Sequence, residues 1–238
     1  MKKSSIALLV ALTCSGPAFA QQAAVVKNDM QIDGLDPGIK IFVREKTAQG
    51  NTWFANDNVV LFLHGATGPS TCDFDLQYKD YSWADWLVNR GYVVYMGDFR
   101  NYGGSTREAA MDEPANKNQP VTRSYLALRK PTEFNFALGA YRVASEAANT
   151  ARWNGEIPIE NKDEYRDPAL PAAFWNECLA TDPTSNSRTP PSLRAPNGVL
   201  EDSFYQATGR PLWNAANIYV PTLVIGGDFD TWSFQEDR

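Results

Sequence analysis

The chain has little histidine and little cysteine. Its 238 residues include one histidine, His64, and three cysteines. A zinc site needs several His, Cys or carboxylate ligands at set spacings, and the sequence contains no CxxC, HxH or HExxH pattern. A single histidine also leaves any serine or cysteine nucleophile with one candidate imidazole base. The sequence therefore predicts no metal or other cofactor, and the role of His64 becomes the central question.

An excess of positive charge is also missing. The chain has 22 Lys and Arg residues against 28 Asp and Glu residues, which gives a net charge of -6. Nucleic-acid binding depends on clustered Lys and Arg that displace counterions, so the composition predicts no nucleic-acid partner. The 43% hydrophobic and 21% charged content is typical of a globular protein, and the length favours one α/β domain over two.

The first residues have the features of a secretory signal peptide. Lys2 and Lys3 precede a short apolar run from Ile6 to Leu12, and the small-x-small pattern of Ala18 to Ala20 is typical of a cleavage site. The apolar run is shorter than the roughly 20 residues that cross a bilayer. We therefore predict a signal peptide over residues 1–20, a periplasmic or secreted protein, and no membrane association after cleavage.

Two cysteines remain once the signal peptide is removed. Cys72 and Cys178 lie far apart in the sequence, and an oxidising compartment would allow them to form a disulfide. Two buried free thiols are the alternative, and the sequence leaves both open.

The front half of the chain shows alternating strand and helix patterns. Ile39–Lys46 alternates apolar and polar residues, as a half-buried strand does. Val59–Leu63 and Tyr92–Met96 are continuous apolar runs, which favour parallel strands covered on both faces. Between them, Tyr81–Arg90 has apolar residues at helical spacing, and Gly91 follows at the position of a C-cap. This order predicts a βαβ unit.

The second half has a different character. From Lys130 to about Leu212 the sequence offers amphipathic helical stretches and no buried-strand run, and a strand pattern returns at Tyr219–Ile225. Aromatic residues in this half either line a ligand pocket or belong to the core. They are Trp153, Tyr165, Trp175, Tyr205 and Trp213.

Three segments, taken in order, carry a resemblance to a known superfamily. They are VVLFLHGATG, NRGYVVYMGDFRNYGGSTR and VPTLVIGGDFD. Together they resemble the α/β-hydrolase superfamily, and in particular its exported serine esterases and lactonases. The resemblance implies an α/β fold with a mostly parallel sheet and a helical cap region. It assigns 21–129 to the N-terminal part of the core, 130–212 to a cap-like region, and 213–238 to a late core strand with an acid loop.

The resemblance also implies roles for individual residues. Ala66 would supply a backbone N–H to an oxyanion, Gly65 would let the substrate approach, and His64 would shape the turn. Asp230 would be the acid of a catalytic triad, with Asp228 as the competing candidate. The alternatives are an ordinary turn after a strand and two solvated loop acids.

The nucleophile of that superfamily is missing. The sequence has no Gly-x-Ser-x-Gly pentapeptide, and the GGSTR stretch around Ser105 lacks the closing glycine. A central block, including strands, looks deleted around Arg129 and Lys130, and the end looks truncated before a catalytic histidine. This would expose an edge of Val59–Leu63 and invite pairing with another chain.

The functional expectation combines these points. The chain resembles an exported serine-type hydrolase of a small carboxylic ester or lactone, without a nucleophile or a catalytic histidine and therefore inactive. The alternative is a catalytically dead relative that binds a ligand or a partner. The sequence leaves the substrate's identity and the oligomeric state open.

Overall fold

A computed structural model describes residues 23–55, 57–118, 139–207, 209–210 and 214–223. The predicted signal peptide, Trp213, Asp228 and Asp230 lie outside these residues. Six strands and five α-helices follow one another along the described chain. They are β1 (Val25–Asp33), β2 (Lys40–Ala48), β3 (Val59–Leu63), α1 (Ser70–Phe74), α2 (Trp83–Val88), β4 (Val93–Gly97), β5 (Tyr141–Ser145), α3 (Glu146–Glu156), α4 (Leu170–Ala180), β6 (Ser192–Pro196) and α5 (Gly198–Ala207).

Four strands form the main sheet, in the order β1-β2-β4-β3. The βαβ unit predicted from the front half is confirmed: β3 and β4 pair in parallel, with Val59 opposite Val93 and Leu63 opposite Gly97. Helices α1 and α2 lie between these two strands in the chain. The half-buried strand predicted from alternation is also confirmed, as β2.

The predicted mostly parallel sheet is wrong. Strand β2 runs antiparallel to both of its neighbours, β1 and β4, so β3 and β4 form the one parallel pair of the described sheet. Strand β1 pairs with β2 along all nine of its residues, yet it is polar and mostly exposed, so no apolar pattern marks it. Its contribution to the sheet is through backbone hydrogen bonds rather than burial.

The prediction that the second half forms a helical cap is also wrong. Strands β5 and β6 form a separate two-stranded antiparallel sheet within it. Each has five residues, YRVAS and SLRAP, and neither is a continuous apolar run. Near the end, Tyr219–Leu223 is not in a strand, although a strand was predicted to begin there. Tyr219 and Leu223 are both largely exposed.

Helices α1 and α2 cover one face of the main sheet. Ala84 and Val88 of α2 are buried against Val94 and Met96 of β4, and Phe62 of β3 packs against the same cluster. Phe62 also stacks on Phe74 of α1, with ring centroids 4.3 Å apart. Because this face holds α1 against the end of β3, the turn between them is fixed.

The opposite face of β3 is open in the described part of the chain. Val59, Leu61 and Leu63 point to that side, and their residues are 43%, 62% and 52% exposed. Strand β3 has one described neighbour, β4, and its other edge has none. None of the helices in the described ranges is both long and apolar enough to cross a bilayer.

Candidate functional site

The turn at residues 64–68, which we call the His64 turn, connects β3 to α1. His64 is buried, and both nitrogens of its ring are engaged. Its Nδ1 lies 2.7 Å from the Gly65 carbonyl, and its Nε2 accepts the Phe99 N–H at 2.9 Å. A carbonyl can only accept, so Nδ1 must carry the proton. The imidazole therefore joins the end of β3 to the loop after β4 as one neutral tautomer.

The electrostatics of His64 reinforce this arrangement. Burial lowers its pKa to about 4, and the hydrogen bond to the Gly65 carbonyl opposes the change only in part. The ring packs against Phe99 and Tyr102, with centroids 4.8 and 4.5 Å away. A proton on Nε2 would also break the hydrogen bond from the Phe99 N–H. Burial and this hydrogen bond therefore both favour the neutral ring.

The carbonyl of Ala66 is turned toward two donors. The Tyr102 hydroxyl donates to it at 2.8 Å, and Arg142 of β5 donates at 2.5 Å. Arg142 also donates to Thr67 Oγ1 at 3.2 Å and to the Pro196 carbonyl of β6 at 2.7 Å. These bonds tie the His64 turn to the two-stranded sheet.

Three successive N–H groups of the turn lack a protein partner. In the described ranges, no acceptor lies within hydrogen-bonding distance of the N–H groups of Ala66, Thr67 and Gly68. The Gly65 N–H has a long contact of 3.5 Å to Asp73 Oδ2. Unpaired backbone N–H groups favour an anion or a carbonyl oxygen as their acceptor.

A half-buried acid, Asp73, and a buried acid, Asp98, flank the turn. Burial raises the pKa of Asp73 to about 7, and the contact with the Gly65 N–H opposes this only partly. Burial also raises the pKa of Asp98 to about 6, although Asp98 accepts the Gly104 and Ser70 N–H groups at 3.1 and 2.9 Å. Both carboxyl groups are therefore less acidic than an exposed aspartate, and each keeps its proton to a higher pH.

A disulfide packs against the His64 turn at Gly68. Cys72 of α1 and Cys178 of α4 are bonded, which settles the choice that the sequence left open. Both are buried in a core cluster with Trp175 and Leu193. Gly68 lies directly on this bond, because a Cβ atom there would come within 2.7 Å of Cys72 Sγ and 3.1 Å of Cys178 Sγ.

A small pocket opens beside the turn, where β6 and the loop after β4 meet. Thr67 and Pro69 form one side, and Arg107 and Arg194 contribute charge. The remaining lining residues are Asn101, Tyr102, Gly103, Thr181, Asp182 and Leu193.

The buried acid of this pocket is fully engaged. Asp182 accepts the N–H groups of Thr184 and Arg194 at 2.9 and 3.0 Å, and Arg188 at 2.6 Å. Burial alone would raise its pKa, but the N–H groups of Arg194 and Thr184 outweigh burial and lower it. Asp182 is therefore a fixed negative charge that holds the cations around it.

The structure places the predicted residues as follows. Gly65, His64 and Ala66 lie together in the His64 turn, whereas Asp230 and Asp228 lie outside the described residues. The Ser105 hydroxyl is buried; it donates to the Asp98 carbonyl at 2.6 Å and accepts the Phe42 N–H at 2.8 Å.

The described aromatic residues of the second half, Trp153, Tyr165, Trp175 and Tyr205, are not among the residues that line the pocket beside the turn. Trp175 is 1% exposed and belongs to the disulfide cluster, and Trp153 packs on Phe174 with centroids 5.0 Å apart. Tyr165 is 55% exposed. For the residues that are described, the interpretation as core or surface fits better than the interpretation as pocket.

Sequence reasoning missed the charged residues of the site. Arg142, Asp182 and Arg194 come from the second half, where no motif marks them. Asp73 follows Cys72 directly, but its half-buried position depends on α1 packing beside the turn. In the described ranges, no three His, Cys, Asp or Glu side chains come together to hold a metal ion.

Comparison with known proteins adds no family to this description. No protein-family model matches the chain, and no curated protein matches it significantly.

Proposed function

We propose that this chain is an exported protein that binds a small carboxylic ester or lactone at the His64 turn and does not hydrolyse it. The observation that carries the proposal is the engagement of both His64 nitrogens in backbone hydrogen bonds. Since His64 is the one histidine of the sequence, no imidazole is left to act as a base.

Binding is supported by the turn itself. The N–H groups of Ala66, Thr67 and Gly68 have no acceptor among the described residues, and the Ala66 carbonyl is held away by Tyr102 and Arg142. Backbone donors of this kind accept the carbonyl oxygen of an ester or lactone and stabilise negative charge on it. The resemblance carried by the three sequence segments assigns one such donor, the N–H of Ala66, to an oxyanion hole.

The absence of turnover is supported by the residues that would act as nucleophile and base. The sequence contains no Gly-x-Ser-x-Gly elbow, and the Ser105 hydroxyl is committed to two backbone groups. A lysine base would need a free amine, but Lys46 is buried and its Nζ lies 2.5 Å from Asp75 Oδ1. Polarisation of a carbonyl without an activated nucleophile gives binding rather than acyl transfer.

The experiment combines a turnover assay with a binding assay. Turnover is measured with p-nitrophenyl butyrate, reactive serine with a fluorophosphonate label, and binding of dimethyl succinate by amide chemical-shift changes. We expect no turnover above buffer, no labelled serine, and shift changes at the N–H groups of residues 66–68.

A pair of variants at one position tests the role of the turn. Ala66→Pro removes the backbone N–H, whereas Ala66→Ser keeps it, so the first should weaken binding and the second should not. Labelling of any serine, or turnover that His64→Gln abolishes, would overturn the proposal in favour of an active hydrolase. Equal binding by both Ala66 variants would show that the turn is not the binding site.

A further inference from the structure

The pocket beside the His64 turn has a different charge from the rest of the molecule. The chain has a net charge of -6, yet four arginines surround this pocket. Arg107 and Arg194 line it, Arg142 donates to Thr67 on its wall, and Arg188 holds Asp182. Two carboxylates, Asp112 and Asp182, partly balance these charges. Among the lining residues themselves, two arginines face one aspartate, so the pocket keeps a positive excess within an acidic protein.

One donor at the pocket is buried and unpaired. Arg194 Nη1 donates to the Met111 carbonyl at 2.7 Å and to Asp112 at 3.2 Å. Its Nε is buried, and among the described residues it has no acceptor. A buried guanidinium N–H without a partner is costly, so this position favours an acceptor supplied by a ligand.

The opposite wall of the pocket belongs to the turn. Thr67 lines the pocket, and its N–H is one of the unpaired donors. Because Thr67, Arg107 and Arg194 line the same pocket, a ligand whose carbonyl oxygen lies on the Thr67 N–H can also reach the two arginines. A carboxylate fits such a pair because a guanidinium donates to both of its oxygens at once.

We propose that this pocket binds a carboxylate, so that the ligand is a small ester or lactone that also carries a carboxylate, such as a monoester of a short dicarboxylic acid. The inference rests on the proposed function for the position of the ester, and the carboxylate site is tested separately with a compound that has no ester.

The experiment compares three probes with the wild-type protein. Monomethyl succinate has an ester and a carboxylate, dimethyl succinate has no charge, and butyrate has no ester. We expect monomethyl succinate to bind at least about tenfold more tightly than dimethyl succinate, as a charge-assisted pair implies. Butyrate should shift the amide signals of Thr67 and Arg194.

Variants locate the effect. Arg194→Gln and Arg107→Gln should each remove most of the preference for monomethyl succinate, and Arg90→Gln should keep it. Arg90 serves as a matched control because it stacks on Trp86 of α2, away from the pocket residues. Circular dichroism shows whether each variant folds. If one does not, the comparison of the three probes on the wild-type protein still tests the carboxylate site.

Two results would overturn the carboxylate site. These are equal affinity of the wild-type protein for the two succinate esters, or a preference that survives both arginine substitutions. Binding of butyrate without any binding of dimethyl succinate would support the carboxylate site and contradict the ester-binding function, so the two failures are distinguishable.

Discussion

The clearest prediction concerns the proton of His64. Replacement by Gln removes the titrating group, and an amide oxygen there can still accept the N–H of Phe99. Burial lowers the pKa of His64 to about 4 in the folded protein, against 6.5 for a free imidazole. In the unfolded chain the ring returns to the ordinary value. The difference makes the free energy of unfolding depend on pH.

The sign follows from which state binds the proton. Between pH 6.5 and 4 the unfolded chain protonates His64 and the folded protein does not, so the stabilisation contributed by neutral His64 is lost as pH falls. At about 1.4 kcal/mol for each pKa unit, the loss amounts to about 3 kcal/mol across this window.

The two acids beside the turn act in the opposite direction. The pKa of Asp73 is raised from 3.8 to about 7, and that of Asp98 to about 6. An acid with a raised pKa keeps its proton in the folded state, so its contribution to stability falls as pH rises through the window above 3.8. The pH dependence of the free energy of unfolding of the wild-type protein therefore combines opposing contributions from His64 and from the two acids.

The difference between wild type and His64→Gln isolates the histidine, because the acids contribute equally to both proteins. Urea unfolding, followed by tryptophan fluorescence at pH 7.5, 6, 5 and 4, gives this difference. We expect the advantage of the wild type to shrink by about 3 kcal/mol from pH 7.5 to pH 4. A constant difference across this range would refute the assigned tautomer and burial.

A direct measurement is also possible because the sequence has one histidine. If the protein is purified without a histidine tag, the imidazole gives one set of nitrogen and carbon signals by NMR. These signals should show a neutral Nδ1–H tautomer down to about pH 5. A midpoint near 6.5 would contradict the structure.

Further substitutions test the packing around the turn, each by urea unfolding or by solubility. Gly68→Ala should destabilise the protein by about 1–3 kcal/mol, because its Cβ would meet the disulfide sulfurs, whereas Gly65→Ala meets nothing within 4 Å and should stay within about 0.5 kcal/mol. Equal effects would contradict the packing. Asp75→Asn should cost about 1–3 kcal/mol, because it removes one of two anionic partners of the buried Lys46 and leaves Asp85 as the other. Leu61→Lys on the open face of β3 should raise the soluble fraction without lowering stability, and lower solubility would count against an exposed face.

The sequence could predict the elements whose signal is local. The apolar runs identified β3 and β4, and alternation identified β2. It could not predict β1, because a polar strand held by backbone pairing has no apolar signature. It could not predict β5 and β6 either, since each is short and is defined by its pairing with the other, far along the chain. The prediction of a mostly parallel sheet was wrong because it extended the parallel pairing of β3 and β4 to the whole sheet.

The same distinction applies to the site. A His-Gly pair directly after an apolar strand predicts a turn, and the turn at residues 64–68 lies where that pattern places it. The partial burial of Asp73 and the approach of Arg142 and Arg194 depend on contacts between separate segments. No pattern in one segment encodes such contacts.

The charges of the residues near the pocket matter more for the proposed ligand than the net charge of the chain does. A net charge of -6 repels anions at long range, but at physiological ionic strength this repulsion fades within about 8 Å. Arg107 and Arg194 lie on the pocket wall, where solvent and salt screen them less. A carboxylate that reaches the pocket therefore interacts with its nearby cations more strongly than with the net charge of the protein. The acidic composition predicts no polyanionic partner such as nucleic acid, which would span the whole surface, and it is compatible with the proposed small anion that contacts only the pocket.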